Sequence, residues 1–305
     1  MGRSMALPQP LADLEAVLTE TARAVEHLLD ELLPPPTGPE ARVVEAMRHA
    51  VFAGGKRIRP FLVVCSADLF DVPRTQSLRV AAAIEMVHTY SLVHDDLPAM
   101  DDDDLRRGKP TVHVKFDEAT AILAGDALLT RAFEVLADAN ASPDPQIRAD
   151  LVLALARAAG AQGMVGGQMI DILTEGTSLN VGQITRMQQL KTGALISFAC
   201  EAGAVLGQAR MRERHALLAY AHDLGLAFQI ADDLLDVEGS AAEVGKRTGK
   251  DEARGKANFV SLLGVSGARQ QADMLSTQAV GHLDSFGVKG GLLRELAAFV
   301  IKRRA

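Results

Sequence analysis

Two groups of aspartates dominate the chemistry that this sequence can perform. They are Asp95-Asp96 with Asp101 to Asp104, and Asp232-Asp233 with Asp236. Carboxylates packed this closely repel one another unless a cation lies between them. Hard oxygen ligands suit Mg²⁺, which takes one or two carboxylates and keeps other positions for water and phosphate oxygens. Asp232 and Asp236 are four residues apart and Gln229 precedes Asp232 by three, so one helix face carries all three. Like charges at that spacing cost an isolated helix ~0.2–0.5 kcal/mol. A merely solvated acidic stripe fits poorly among Ile230, Leu234 and Leu235. In the first group, His88, Ser91 and Asp95 share a face at i, i+3 and i+7. Asp101 leaves that face if the helix runs on. Pro98 predicts a break there, because its ring and missing N–H disrupt the preceding turn, and the break lets Asp101 fold back beside Asp95.

Bases cluster beside the acids. Gly54-Gly55-Lys56-Arg57-Ile58-Arg59-Pro60 reads as a turn followed by a helix start, a ready anion site. Lys56 and Arg59, three apart, would clamp a diphosphate that lacks its own metal. Arg106-Arg107-Gly108-Lys109-Pro110 follows the first aspartates directly and, taken alone, reads equally well as their counter-charge. Lys191-Thr192-Gly193 interrupts an apolar helix, where a lone lysine also has the option of snorkelling to the surface. Lys246-Arg247-Thr248-Gly249-Lys250 and Lys256 form a basic loop that alone reads as ordinary surface. Gln168 and Asp171 share a face of a segment holding three glycines. Each glycine costs a helix about 1 kcal/mol against Ala, so close packing or ligand approach must compensate.

The elements that position these groups are helical. Ala, Leu, Met and Val dominate an apolar fraction of 48%, aromatics are 4%, and there is no Trp; that set favours helices over sheets. Helical periodicity predicts helices over 11–33, 40–52, 58–70, 75–97, 117–138, 145–173, 180–206, 210–237, 266–284 and 289–302. The proline-rich run 34–39 ends the first. Several helices are apolar nearly all round, so they lie inside a bundle. The reading is all-α: a single-domain orthogonal helical bundle around a deep central cavity. The domain is expected to span 11–305, with 1–10 either a disordered tail or, from Met1 to Ser4, a vector remnant. A net charge of −7, from 32 basic and 39 acidic residues, argues against a nucleic-acid partner. Two isolated cysteines, Cys65 and Cys200, fit a reducing cytoplasm. No apolar run reaches the ~18 residues that stable membrane insertion needs.

Read together, Asp95-Asp96-Leu97-Pro98-Ala99-Met100-Asp101-Asp102-Asp103-Asp104-Leu105-Arg106-Arg107-Gly108-Lys109-Pro110-Thr111 resembles the first aspartate-rich motif of trans-isoprenyl diphosphate synthases. The four-residue spacer between Asp96 and Asp101 is similar to the bacterial farnesyl diphosphate synthase type. Asp232 to Asp236 resembles the second motif. Gly54–Pro60, Gln168–Asp171, Lys191-Thr192 and Phe228-Gln229 match the intervening blocks in order, so the resemblance covers roughly 40–304. It implies an isoprenoid synthase-like homodimer. It implies three Mg²⁺ per active site on an allylic diphosphate, held by Asp95, Asp101 and Asp232 with Asp96 and Asp236 supporting. Arg106, Lys191, Thr192, Gln229, Lys246 and Lys256 would contact that diphosphate. Lys56, Arg59, His88 and Arg107 would hold isopentenyl diphosphate. Asn258 and Val260 stand where the family usually has Thr and Pro, so this block departs from the family pattern.

The implied reaction ionises the allylic C–O bond, and the double bond of isopentenyl diphosphate attacks C1. No side-chain nucleophile is required. Chain length should follow cavity depth. Tyr90 lies about 7.5 Å further along the helix than Asp95, and Ser91 lies on nearly the same face as Asp95. An aromatic floor there predicts a stop at farnesyl. A geranylgeranyl synthase would favour a small residue at 90. A class I terpene cyclase would have no use for Lys56 and Arg59 and usually mixes Asn, Ser and Glu in its second metal motif. A non-catalytic prenyl diphosphate-binding subunit would normally lose one motif.

Overall fold

The computed structural model describes residues 13–35, 37–238 and 258–302. Helix α1 (Leu14–Leu32) is capped by Asp13 and buries Val25 and Leu29 from the anticipated stripe. Helices α2 (Ala41–Val51), α3 (Ile58–Asp68) and α4 (Arg74–Asp95) follow. α3 and α4 are the central rods. Pro60 to Ala67 of α3, and Val80 to Val87 of α4, are buried without interruption, as helices apolar all round must be. The one-turn α5 (Val112–Lys115) leads into α6 (Glu118–Ala137), which packs along α4. α7 (Pro145–Ala159), α8 (Met164–Leu173) and α9 (Val181–Gln188) lead to α10 (Ala194–Leu206), which lies on α3. α11 (Met211–Glu238), α12 (Phe259–His282) and α13 (Gly291–Lys302) complete the bundle. A second, smaller apolar cluster joins α9, α11 and α12 through Ile184, Ile230 and Leu275. Among the described residues no helix is long and apolar enough to cross a membrane.

Four details depart from the periodicity. The helix expected over 145–173 is two, α7 and α8, because the chain turns at Gly160–Gly163, where a Cβ on Gly163 would stand 2.1 Å from the Ala158 carbonyl oxygen. The run expected over 180–206 carries a π-turn at Gln189–Gly193. The helix expected from 266 begins at Phe259, capped reciprocally by Asn258 and Ser261, and bends at Gly264 (φ 67°). Its apolar pattern is interrupted at that bend, which hid its first turn. α4 stops at Asp95, before the expected 97. Among the described residues the strands are Leu105–Arg106 (β1) and Lys109–Pro110 (β2), an antiparallel pair turned by Arg107 (φ 54°) and Gly108 (φ 76°). Residues 1–10, Lys246 and Lys256 lie outside the described residues.

Candidate active site

The first acidic group sits where α4 ends. The Asp101 N–H donates to the Asp95 carbonyl (2.8 Å), Asp102 N–H to Leu97 (3.1 Å) and Asp103 N–H to Asp96 (3.2 Å). The chain after Pro98 therefore doubles back, and Asp101 returns to Asp95 as the proline break predicts. Burial pushes the Asp95 carboxyl up to about 6; the nearby Lys191 opposes this, and Asp101 and Asp96 add to it. Asp96 is buried and turned into the protein, where both carboxylate oxygens accept from Arg106 Nε at 2.8 Å. Here Asp96 holds Arg106 in place rather than offering a ligand.

The second group lies on α11. Asp232 and Asp236 are partly exposed, one helical turn apart. Asp233 between them is buried. It accepts from Gln229 Nε2 (3.0 Å) and from the Phe259 N–H (2.9 Å), so it anchors the start of α12. The Gln229 side-chain carbonyl in turn accepts from the Thr192 hydroxyl (3.3 Å). Lys191 and Thr192 sit in the π-turn, a distortion that recurs at functional sites. Lys191 Nζ donates to Asp171 at 2.6 Å. α8 approaches so closely that Gly167 lies against the Lys191 backbone.

The basic groups form a separate cleft of about 540 Å³ lined by Lys56, Arg57, Arg59, Glu85, His88 and Arg107. Gly54 (φ 99°) and Gly55 (φ 126°) supply its turn, and Arg107 reaches the Gly54 carbonyl. Burial, reinforced by Arg59 and Arg107, holds His88 well below the usual imidazole range, so the ring is neutral. Its Nε2 accepts from Arg59 Nη1 (3.3 Å), which leaves Nδ1 to carry the ring proton. Arg59 Nε is buried, with no hydrogen-bond partner among the described residues. A cation with a buried, unused donor suits an anionic ligand.

Beside the aspartates opens a cavity of about 320 Å³ that reaches from Asp95 and Lys191 to Tyr90, His94, Met169 and Ile172. Tyr90 is buried and meets His94 edge-on, with ring centroids 5.6 Å apart. His94 Nε2 donates to the Ile122 carbonyl (3.0 Å), and its ring fills a notch where Gly125 has no side chain. The apolar wall from α8 and α10, including Met164, Met169, Ile172 and Leu195, escaped the sequence reading. Its one signal was the polar Gln168 among them, whose side-chain carbonyl is buried without a partner among the described residues.

Among the described residues no three His, Cys, Asp or Glu side chains converge to chelate a metal unaided. Paired carboxylates with a raised Asp95 fit Mg²⁺, which shares its coordination with water and phosphate. A pH dependence follows. Folded, cation-free protein keeps a proton on Asp95 up to about pH 6, whereas the unfolded chain releases it near the ordinary 3.8. Stability from this group therefore falls as pH rises through that window, and a cation restores it above. Thermal unfolding should show Mg²⁺ raising the Tm more at pH 8 than at pH 5.5; an equal rise at both would contradict the assignment.

The polyprenyl synthetase family profile matches residues 40–284. A farnesyl diphosphate synthase of Geobacillus stearothermophilus is 42% identical over 291 residues, covering 95% of this chain and 98% of the relative. That of Escherichia coli (strain K12) is 43% identical over 299 residues, covering 95% and 99%. The apo crystal structure of an FPP/GFPP synthase from Zymomonas mobilis superposes with a TM-score of 0.86 at 49% identity, over 94% of this chain and 98% of that one. With the helical bundle, both aspartate groups and the intervening basic blocks inside the matched span, the chain belongs to the polyprenyl synthetase family.

Proposed function

We propose that this protein is a Mg²⁺-dependent farnesyl diphosphate synthase, condensing isopentenyl diphosphate head-to-tail with dimethylallyl and then geranyl diphosphate. One observation carries the reading: Arg59 and His88 line both the acid-headed cavity and the basic cleft. Two diphosphate sites thus meet at one wall, which a two-substrate condensation requires and a terpene cyclase does not. Asp95, Asp101 and Asp232 would hold three Mg²⁺, with Asp236 and a released Asp96 supporting. When bound, these ions supply Lewis-acid stabilisation of the departing diphosphate.

The chain's own residues do the rest. Lys191, steadied by Asp171, and Arg106, held by Asp96, place fixed positive charge where negative charge develops. Thr192 and Gln229 form a hydrogen-bonded pair at the same wall, and Lys246 and Lys256, outside the described residues, would add charge to the same diphosphate. Lys56, Arg59 and Arg107 orient the second diphosphate beside neutral His88, which donates without adding charge. The apolar cavity excludes water from the allylic cation. Tyr90, braced by His94, ends the cavity at a C15 chain, with Ser91 beside it. Residues 11–305 act as one synthase domain, working in the cytoplasm as a homodimer.

Purified protein incubated with Mg²⁺, dimethylallyl and isopentenyl diphosphates, followed by chromatography of the dephosphorylated products, should yield farnesol. Geranylgeraniol as the main product would replace the C15 reading by the C20 one, and no product would favour a binding subunit. Tyr90→Ala should shift the main product to C20 or longer. An unchanged C15 profile would remove Tyr90 as the floor.

A further inference from the structure

One cation bordering the basic cleft spends its guanidinium on the protein itself. Arg57 is buried at 3% exposure, although it lies between exposed Lys56 and partly exposed Arg59. Its backbone is left-handed (φ 49°, ψ 41°), a conformation that non-glycine residues rarely adopt. Nothing local rewards this conformation, since Arg57 makes no side-chain cap to α3. Its guanidinium instead grips three surrounding helices. Nη1 donates to Glu85 of α4 (2.6 Å), Nη2 to the Val51 carbonyl at the end of α2 (2.6 Å) and to Glu26 of α1 (3.0 Å). Glu85 is itself 2% exposed. It stands one turn before His88 on α4, just as Arg57 stands two residues before Arg59. The buried pair thus joins α3 to α4 directly beneath the Arg59–His88 contact.

On this basis we infer that Arg57 and Glu85 are positioning residues for the isopentenyl diphosphate site, a conclusion that rests on the two-substrate reading above. Their ion pair fixes the left-handed turn that presents Lys56 to the cleft. It also fixes the separation of α3 and α4, and with it the Arg59–His88 wall. In this reading both act through Lys56, Arg59 and His88 rather than on the substrate itself. The pair is neutral overall, so removing both partners leaves the cleft's net charge unchanged. A shift in substrate affinity after that change would report geometry, not charge.

The test uses Arg57→Met with Glu85→Leu in one protein, beside each single variant. Arg57→Met strands the buried Glu85 carboxylate and will lower the Tm sharply, whereas Glu85→Leu leaves Arg57 its Glu26 and Val51 partners and should cost less. The double variant replaces the pair with apolar groups of similar length and is expected to recover most of that loss. In the double variant, KM for isopentenyl diphosphate should rise at least tenfold. KM for the allylic diphosphate should stay within about threefold, and so should kcat at saturating isopentenyl diphosphate. A folded double variant with wild-type KM for isopentenyl diphosphate would overturn the inference, as would equal rises in both KM values. Wild-type protein assayed in parallel separates the two levels of claim. If it forms no prenyl product, the functional reading has failed, and the inference that rests on it goes with it.

Discussion

Asp95→Ala is expected to lower kcat by about a thousandfold, or ~4 kcal/mol of transition-state stabilisation. The residue is central to the acidic corner: α4 delivers it, and Asp101 is folded back onto its own carbonyl. That backbone bond does not need the Asp95 carboxylate, so the turn survives the substitution. Burial already makes the charged carboxylate unfavourable in cation-free protein, with a value pushed up to about 6. The variant should therefore melt no lower than wild type at pH 8 without Mg²⁺. Steady-state kinetics with a melting curve distinguish this from unfolding. Loss of activity accompanied by a large fall in Tm would mean that Asp95 serves the fold instead.

The second large effect needs no charged residue. A Cβ on Gly167 would lie 2.1 Å from the Lys191 nitrogen and 2.6 Å from its Cα. Both are backbone atoms of the π-turn, so neither can swing aside as a side-chain tip would. Gly167→Ala must push α8 away from that turn, moving Lys191 and Thr192 relative to Asp95 and Gln229. A displacement of about 1 Å at a positioning group can cost on the order of a hundredfold in rate. Overpacking of this kind typically costs about 1–3 kcal/mol of stability. The expected result is a fall of that order in kcat, with a folded protein and a lowered Tm. A variant with wild-type kcat would show that the α8 contact does not set the lysine's position.

What the sequence revealed and what it hid have physical explanations. The α11 acids were readable because regular helical spacing fixes their alignment. Asp101 was readable because Pro98 carries its own steric rule. The π-turn at Gln189–Gly193 was not, since one extra residue in a turn leaves the apolar pattern of α9 and α10 almost undisturbed. The split between α7 and α8 was missed although glycines mark it, because glycine permits a break without requiring one. Asp96 and Asp233 look like their neighbours in sequence. Only tertiary packing turns the first onto Arg106 and the second onto the α12 N-terminus. Arg57 was hidden in the same way, among three bases of one motif of which it alone is buried.

Joint binding of divalent cations by the two aspartate groups underlies every other role assigned to the site. It is tested most directly by a crystal structure with Mn²⁺ in place of Mg²⁺ and a diphosphate bound, read by anomalous scattering. Anomalous peaks are expected in contact with Asp95 and Asp101 on one side and with Asp232 on the other, bridged by the diphosphate. Diphosphate bound by the basic residues alone, with no peak at either aspartate group, would contradict it.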